Sequence, residues 1–473
     1  MSFDFRKWIQ EQSGDFTPDY ADPDHLRLIT DYAIAQVNFY PVENEADIVE
    51  FRIENTRDQN VEFFLHFQAV DEAHAEGLYK EMIDALSALK DKKNEEILLC
   101  CSSALTTSFF AEQLNNAAET LHMNYHFSAV DVNSVYQNAV GKSAVLLAPQ
   151  IGFMERKLKE VMPDELILTI PARVFGTYDS GACIRFVEDH LSAHRAQKKE
   201  KKAPQDIISS GRLLVIAVSS TSVHEPKIYY RIYDHGKAVL NQTVIKRKLT
   251  LRDIEDVIDT QVCSCSGKVD ADAVCIAVPG SVHNGHLDLR SSDRFDFQNG
   301  EKNNFDIVSY LNRKYTIPVY VVHNAKAAVL GWQKEHPEYE NVCFFSVPRG
   351  SVYGGQGAMV NGKLLEGRMH SAGETKYVVD YFNYSHSLHF SGYNPDDMKE
   401  IVVNTLLMDI AVLDPEAICI RCELTPDMEA LKQELMRRDV PLEHIPDLFY
   451  IDDFYEYILP GEAEWCALMD KQN

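Results

Sequence analysis

The run CCSSALTTSFFAEQL, Cys100 to Leu114, closes an apolar stretch with two thiols, adds small hydroxyl residues and passes into a helix-like segment. A strand-to-helix loop of this composition can surround a tetrahedral oxyanion. Backbone N–H groups at the helix start would act together with the hydroxyls of Ser102, Ser103, Thr106, Thr107 and Ser108. The same positive end favours a thiolate, which makes Cys101 a candidate nucleophile for phosphoryl transfer through a phosphocysteine. In the competing reading, Cys100 and Cys101 simply end a buried strand. Residue types alone leave both open.

A second group of polar residues lies far downstream. IPVYVVHNAKAAVLGW (Ile317–Trp332) reads as a strand breaking into a small-residue helix, with His323 and Asn324 at the junction. GSVYGGQGAMVNGKLLEGRMHSAGE (Gly350–Glu374) is a glycine-rich hairpin carrying Gly354, Gly355 and Gly357. Taken by itself, Glu374 reads as a carboxylate at a helix start or on the surface. Glycine-rich turns can hold phosphates through backbone N–H groups, but tight turns explain them equally well. Cys263 and Cys265 supply only two ligands, and His25, His66 and His74 lack metal-like spacing, so no metal site is expected.

The elements that must position these residues fall into blocks. In residues 1–92, DIVEFRIE (Asp47–Glu54) alternates apolar and charged positions as a half-buried strand. VEFFLHFQ (Val61–Gln68) is a second strand, and Leu78, Met82, Leu86 and Leu89 mark one face of a helix over 73–89. Nothing in this α+β block suggests chemistry. Residues 95–196 alternate short apolar runs with helical stretches, the rhythm of a small parallel α/β sheet. The lysine-rich QKKEKKAPQ within 197–207 reads as a solvated linker rather than a nucleic-acid tail. Residues 208–473 open on RLLVIAV and are long enough for a two-lobed α/β domain.

A chain of 473 residues exceeds what one hydrophobic core organises, so two or three domains are expected. Its formal charge of −26 counts against nucleic acid as a partner, because phosphate contacts need clustered Lys and Arg. No apolar run suits a bilayer span, the N-terminus shows no secretory pattern, and ten cysteines lack framework spacing. A cytoplasmic protein without a membrane partner is the expectation.

Residues 95–196 resemble component IIB of the sugar phosphotransferase system, of the lactose/cellobiose type. Three stretches carry the resemblance: the Cys101–Ser108 loop, SAVLLAPQIGFM (Ser143–Met154) and VFGTYDSGACIRFVEDHL (Val174–Leu191). The resemblance implies that Cys101 takes a phosphoryl group from a IIA component, its partner. Ala104 departs from the family pattern, which has glycine there.

Residues 208–473 resemble the ROK family of sugar kinases and sugar-responsive repressors. The Pro-Gly strand AVCIAVPGSVHNGHLDL, the His323-Asn324 segment, the glycine-rich hairpin and a Pro-Glu strand near the end recur in family order. The resemblance implies an actin/hexokinase-like (ribonuclease H-like) two-lobed fold, a sugar or sugar phosphate in the cleft, and a homodimer. It places Asn324, Glu374 and His323 at the sugar. Ser219, Ser220, Thr221 and the three hairpin glycines would be remnants of the nucleotide loops. Asn324 occupies the position of the family's catalytic Asp, and an amide has no basic lone pair at neutral pH. The first phosphate loop also lacks its carboxylate, and Arg421-Cys422 replaces the Gly-Gly near the nucleotide.

These features point to a catalytically degenerate sugar-binding protein that senses or regulates carbohydrate uptake, with phosphorylation at Cys101 as its input. The alternatives are a sugar kinase using Mg-ATP, an active IIB carrier, and a ROK-type transcriptional regulator. The last lacks a visible helix-turn-helix segment.

Overall fold

The computed structural model describes residues 4–470, apart from 44, 57–58, 92–94, 103–104, 122, 124, 164, 197–206, 208–210, 220–225, 263–269, 290–294, 298–304, 371 and 383–386. The chain begins with a short helix, Phe5–Gln10, capped by the Asp4 carboxylate. An antiparallel meander follows: Thr17–Asp22, His25–Ile29, Ala33–Tyr40, Ile48–Asn55 and Val61–Gln68. The alternation in Ile48–Asn55 is realised as expected, with Val49, Phe51 and Ile53 fully buried. Against that face lies the helix Glu72–Asp91, which buries Leu78, Met82, Leu86 and Leu89.

This meander continues into the downstream chain. Strand Val61–Gln68 pairs with Lys237–Ile245, at Phe64 opposite Ile245, and completes a ten-stranded sheet. The sheet runs on through Lys227–Asp234, Arg212–Val218, Ala273–Val278 and Val319–His323. One apolar core extends from Phe5 to Val321. A charged seam ties the same two parts. Lys246 is 3% exposed and sits between Asp253 at 2.6 Å and Glu81 at 2.7 Å, while His74 meets Asp256 at 2.9 Å. Within this seam the buried Lys246 and Asp256 each have a partner, which offsets the cost of burying them.

Residues 95–196 form the expected parallel sheet, in the order Tyr125–Asp131, Glu95–Cys101, Ala144–Leu147, Ile167–Thr169. Helices Leu105–Thr120 and Ser180–Ala196 cover one face. The other face shares a core with a second lobe. That lobe is a five-stranded sheet centred on Val342–Ser346, flanked by Gly355–Val360 and Ala417–Arg421.

Helices Asn324–Glu335 and Tyr455–Asp470 cross between the two lobes. Gly331 and Gly461 lie at the crossing, where a Cβ on either would run into the carbonyl of Tyr457 or Ala327. Only glycine lets the two backbones approach so closely. No helix among the described residues is long and apolar enough to cross a membrane.

Candidate functional site

A cavity of about 340 Å³ opens where the two lobes meet. Its walls include Gly280, Asp288, Asn324, Ser351, Tyr353 and Glu374. The Pro-Gly turn after Ala273–Val278 forms one side. Gly280 has φ +87°, and an added Cβ there would lie 2.8 Å from the Asp288 carbonyl oxygen. The turn after Val342–Ser346 forms the opposite side.

Asn324 begins the helix that follows Val319–His323 and is 4% exposed. Its Nδ2 donates to the Val218 carbonyl at 3.0 Å, while its Oδ1 is buried without a hydrogen-bond partner. A buried polar atom left unpaired costs about 1–3 kcal/mol. Such an acceptor can fix a hydroxyl but cannot remove its proton.

The three hairpin glycines have a steric explanation. A Cβ on Gly355 would lie 3.0 Å from His323 Nε2, and one on Gly354 would lie 2.8 Å from the Ser346 carbonyl. At Gly357 the added atom would meet the backbone of Ala325 and Lys326. The hairpin is therefore pressed onto the strand–helix junction. Gly354 and Gly355 still line the cleft, together with His323 and Glu374, but Gly357 does not. Ser219 is also turned away: it is 3% exposed, and its hydroxyl accepts from the Lys227 N–H at 2.9 Å. Ser220 and Thr221 lie outside the described residues.

On the side where the family pattern has Gly-Gly, Arg421 ends its strand with the guanidinium 5.3 Å from the centre of the Phe454 ring. Phe454 itself lines the cleft. Two residues that sequence reasoning passed over also matter. Asp288, from the polar hairpin, lines the cleft, and Arg349 sits in the turn that follows Val342–Ser346. Asp288 had a local signal, since it follows the Pro-Gly turn in a short hairpin. Arg349 had none.

The thiol loop follows the strand Glu95–Cys101. Cys101 ends strand Glu95–Cys101 with 1% exposure, and its sulfur lies 3.1 Å from the Thr107 hydroxyl. Thr107 is fully buried, whereas Ser102, Thr106 and Ser108 are exposed. Ser103 lies outside the described residues. Burial pushes the neighbouring Cys100 thiol up to about 12, and the groups of Cys101 and Asp131 add to the effect. Cys101 does not line the inter-lobe cleft.

Among the described residues no group of acidic, His and Cys side chains has the arrangement of a metal site. No curated protein sequence matches the chain. Among solved structures, it is similar to a ROK family protein from Streptococcus pneumoniae in complex with sucrose: 17% identity, 55% of this chain and 100% of that one, TM-score 0.40. A ROK hexokinase from Thermus thermophilus matches at 14% identity over the same shares, with TM-score 0.39. The lactose-specific IIB component of the phosphotransferase system from Streptococcus pneumoniae matches at 18% identity, over 21% of this chain and 98% of that one, TM-score 0.20. Residues 227–378 match the sequence model of the ROK family, and over those residues the chain carries a ROK family domain.

Proposed function

We propose that the protein binds a sugar or sugar phosphate in the inter-lobe cleft without phosphorylating it, and acts as a sensor of carbohydrate supply. The observation that carries this reading is Asn324. It holds the strand–helix junction at the cleft with an unpaired buried oxygen where a kinase needs a base. Glu374, Asp288 and Ser351 add acceptors and donors around the same 340 Å³ space. That polar lining suits a hydroxyl-rich ligand, and the cavity fits a single sugar ring. Arg421 and Phe454 crowd the nucleotide side.

The reading makes the chain a receiver. Ligand in the cleft touches the turn that includes Ser351 and Tyr353, and the same turn is bonded to the 95–196 unit through Arg349. Occupancy would reach a neighbouring unit by that route, provided the ligand favours one arrangement of the turn over another. Isothermal titration with hexoses, amino sugars and their phosphates, run beside an assay for Mg-ATP consumption, tests the proposal. Saturable binding without turnover supports it. Sugar-dependent ATP consumption that depends on cleft residues would overturn it in favour of a kinase.

A further inference from the structure

A second cavity, of about 270 Å³, lies on the other side of the strand–helix junction from the cleft. Its walls are mostly apolar, with Val308, Val321 and Met469 among them, and the polar residues that line it include Lys326, Glu366, His370 and Asp306. We propose that this cavity binds a small uncharged aldehyde or ketone and that Lys326 captures it as an imine.

Lys326 is the third residue of its helix and only 5% exposed. Its Nζ donates to the His370 carbonyl at 2.6 Å, and among the described residues no carboxylate lies within ion-pair distance of it. Other buried cations of this chain are paired: Lys246 with Asp253 and Glu81, Arg231 with Glu456, Arg349 with Glu165. Lys326 stands apart from that pattern. A position near the positive end of a helix further disfavours an ammonium. Burial pushes the Lys326 ammonium below the ordinary lysine range, and the more distant Glu366 and Glu374 only partly oppose this. A desolvated amine in an apolar pocket is the usual form of a carbonyl-capturing lysine.

The second observation is a dyad beside the amine. His370 Nδ1 lies 2.9 Å from Glu366 Oε1, and His370 holds a left-handed backbone conformation with φ +56°. A non-glycine residue is held there at a cost, and the same residue supplies the carbonyl bonded to Lys326 and lines the cavity. The carboxylate orients the imidazole, which can then move protons. The nearby carboxylates argue against an anionic ligand, and the small volume argues against a large one.

The chemistry balances without a further reactant. The Nζ lone pair attacks the carbonyl carbon, one of the two N–H protons passes to the oxygen, and a neutral carbinolamine forms. The C–O bond then breaks as protonated His370 gives its proton to the hydroxyl, water leaves, and the iminium nitrogen returns its remaining proton to His370 to give the neutral imine. The proposal does not depend on what occupies the inter-lobe cleft.

The test incubates the full chain with glycolaldehyde or dihydroxyacetone and sodium cyanoborohydride at neutral pH, then maps adducts by peptide mass. One early adduct at Lys326, ahead of exposed Lys90, is expected. Lys326→Met, which keeps the length of the side chain without a charge, should lose it while keeping the wild-type melting temperature, and His370→Asn should slow it. Adducts spread over exposed lysines, with Lys326 unmodified in the native protein, would overturn the proposal. That readout needs no variant.

Discussion

Arg349 and Glu165 form a buried ion pair, Nη1 to Oε1 at 2.7 Å, that joins the turn above the cleft to the 95–196 unit. Arg349 is 4% exposed at its side chain and Glu165 is 11% exposed. A second nitrogen, Nη2, donates to the Tyr136 carbonyl at 2.7 Å. Removing one partner of such a pair leaves an uncompensated charge and costs about 3–5 kcal/mol. Arg349→Met should therefore lower stability strongly, whereas the Arg349→Met/Glu165→Leu double variant should recover part of the loss. Denaturant unfolding of the four proteins measures this coupling. If the turn links the two units, the single variants also change sugar affinity in the cleft. Unchanged affinity would separate the stabilising role from any signalling role.

Asn324 offers a cleaner probe of the cleft, because only its Oδ1 is uncommitted. Asn324→Ala removes that acceptor and should weaken sugar binding by about 1–3 kcal/mol, or roughly five- to 150-fold. Titration calorimetry reads the change. Asn324→Asp should not create a kinase, since Ser219 is bonded to Lys227 and supplies no carboxylate for a metal-bound nucleotide. Its buried carboxylate would also face the Val218 carbonyl that Nδ2 now bonds, so a lower melting temperature is expected.

Asp409 gives a pH signature. It is 4% exposed, its Oδ1 accepts from Gln356 Nε2, and its Oδ2 has no partner. Burial raises its pKa from 3.8 to about 7, against the Gln356 hydrogen bond. In that interval the folded state holds a proton that the unfolded state has released. The group's contribution to stability therefore falls as pH rises from about 4 to about 7. Asp409→Asn keeps the acceptor and abolishes the titration. Melting temperatures of the two proteins should agree near pH 4 and separate above pH 6 in favour of the variant. A constant difference across that range would refute the assignment.

The sequence exposed those elements whose burial is periodic along one segment. Val49, Phe51 and Ile53 announce their strand, and Leu78, Met82, Leu86 and Leu89 announce their helix, because each face packs on one neighbour. Thr17–Asp22 escaped because it is an edge strand exposed at every position, with no alternation to read. The joining of the N-terminal meander to Lys237–Ile245 escaped for another reason. It rests on backbone pairing at Phe64 and Ile245, and backbone atoms carry no residue-specific mark. The site divided in the same way. Asn324, Glu374 and His323, named through the family resemblance of their segments, line the cleft. Arg349 was not legible, because its partner Glu165 is 184 residues away. The glycines were legible as glycines, but whether space is kept for phosphate or for His323 is decided only in three dimensions.

Cys101 tests how far loop composition predicts reactivity. A phosphoryl donor must reach the sulfur in line, yet that atom is buried beside the Thr107 hydroxyl. All eight described cysteines are buried. Native protein treated with iodoacetamide should therefore leave Cys101 unmodified long after Cys101 in unfolded protein has reacted, as peptide mass mapping would show. Cys101→Ser should leave sugar affinity in the cleft unchanged, since the thiol does not line it. Incubation with phosphoenolpyruvate and phosphotransferase enzymes completes the test. A phosphoryl group mapped to Cys101 would require the 101–107 loop to open, with Thr107 leaving the core. Thr107→Ala should then increase that labelling, because it removes the hydroxyl bonded to the sulfur. No labelling of either protein, with the donor enzymes active on another substrate, would leave Thr107 and Cys101 as a core contact that ends a strand.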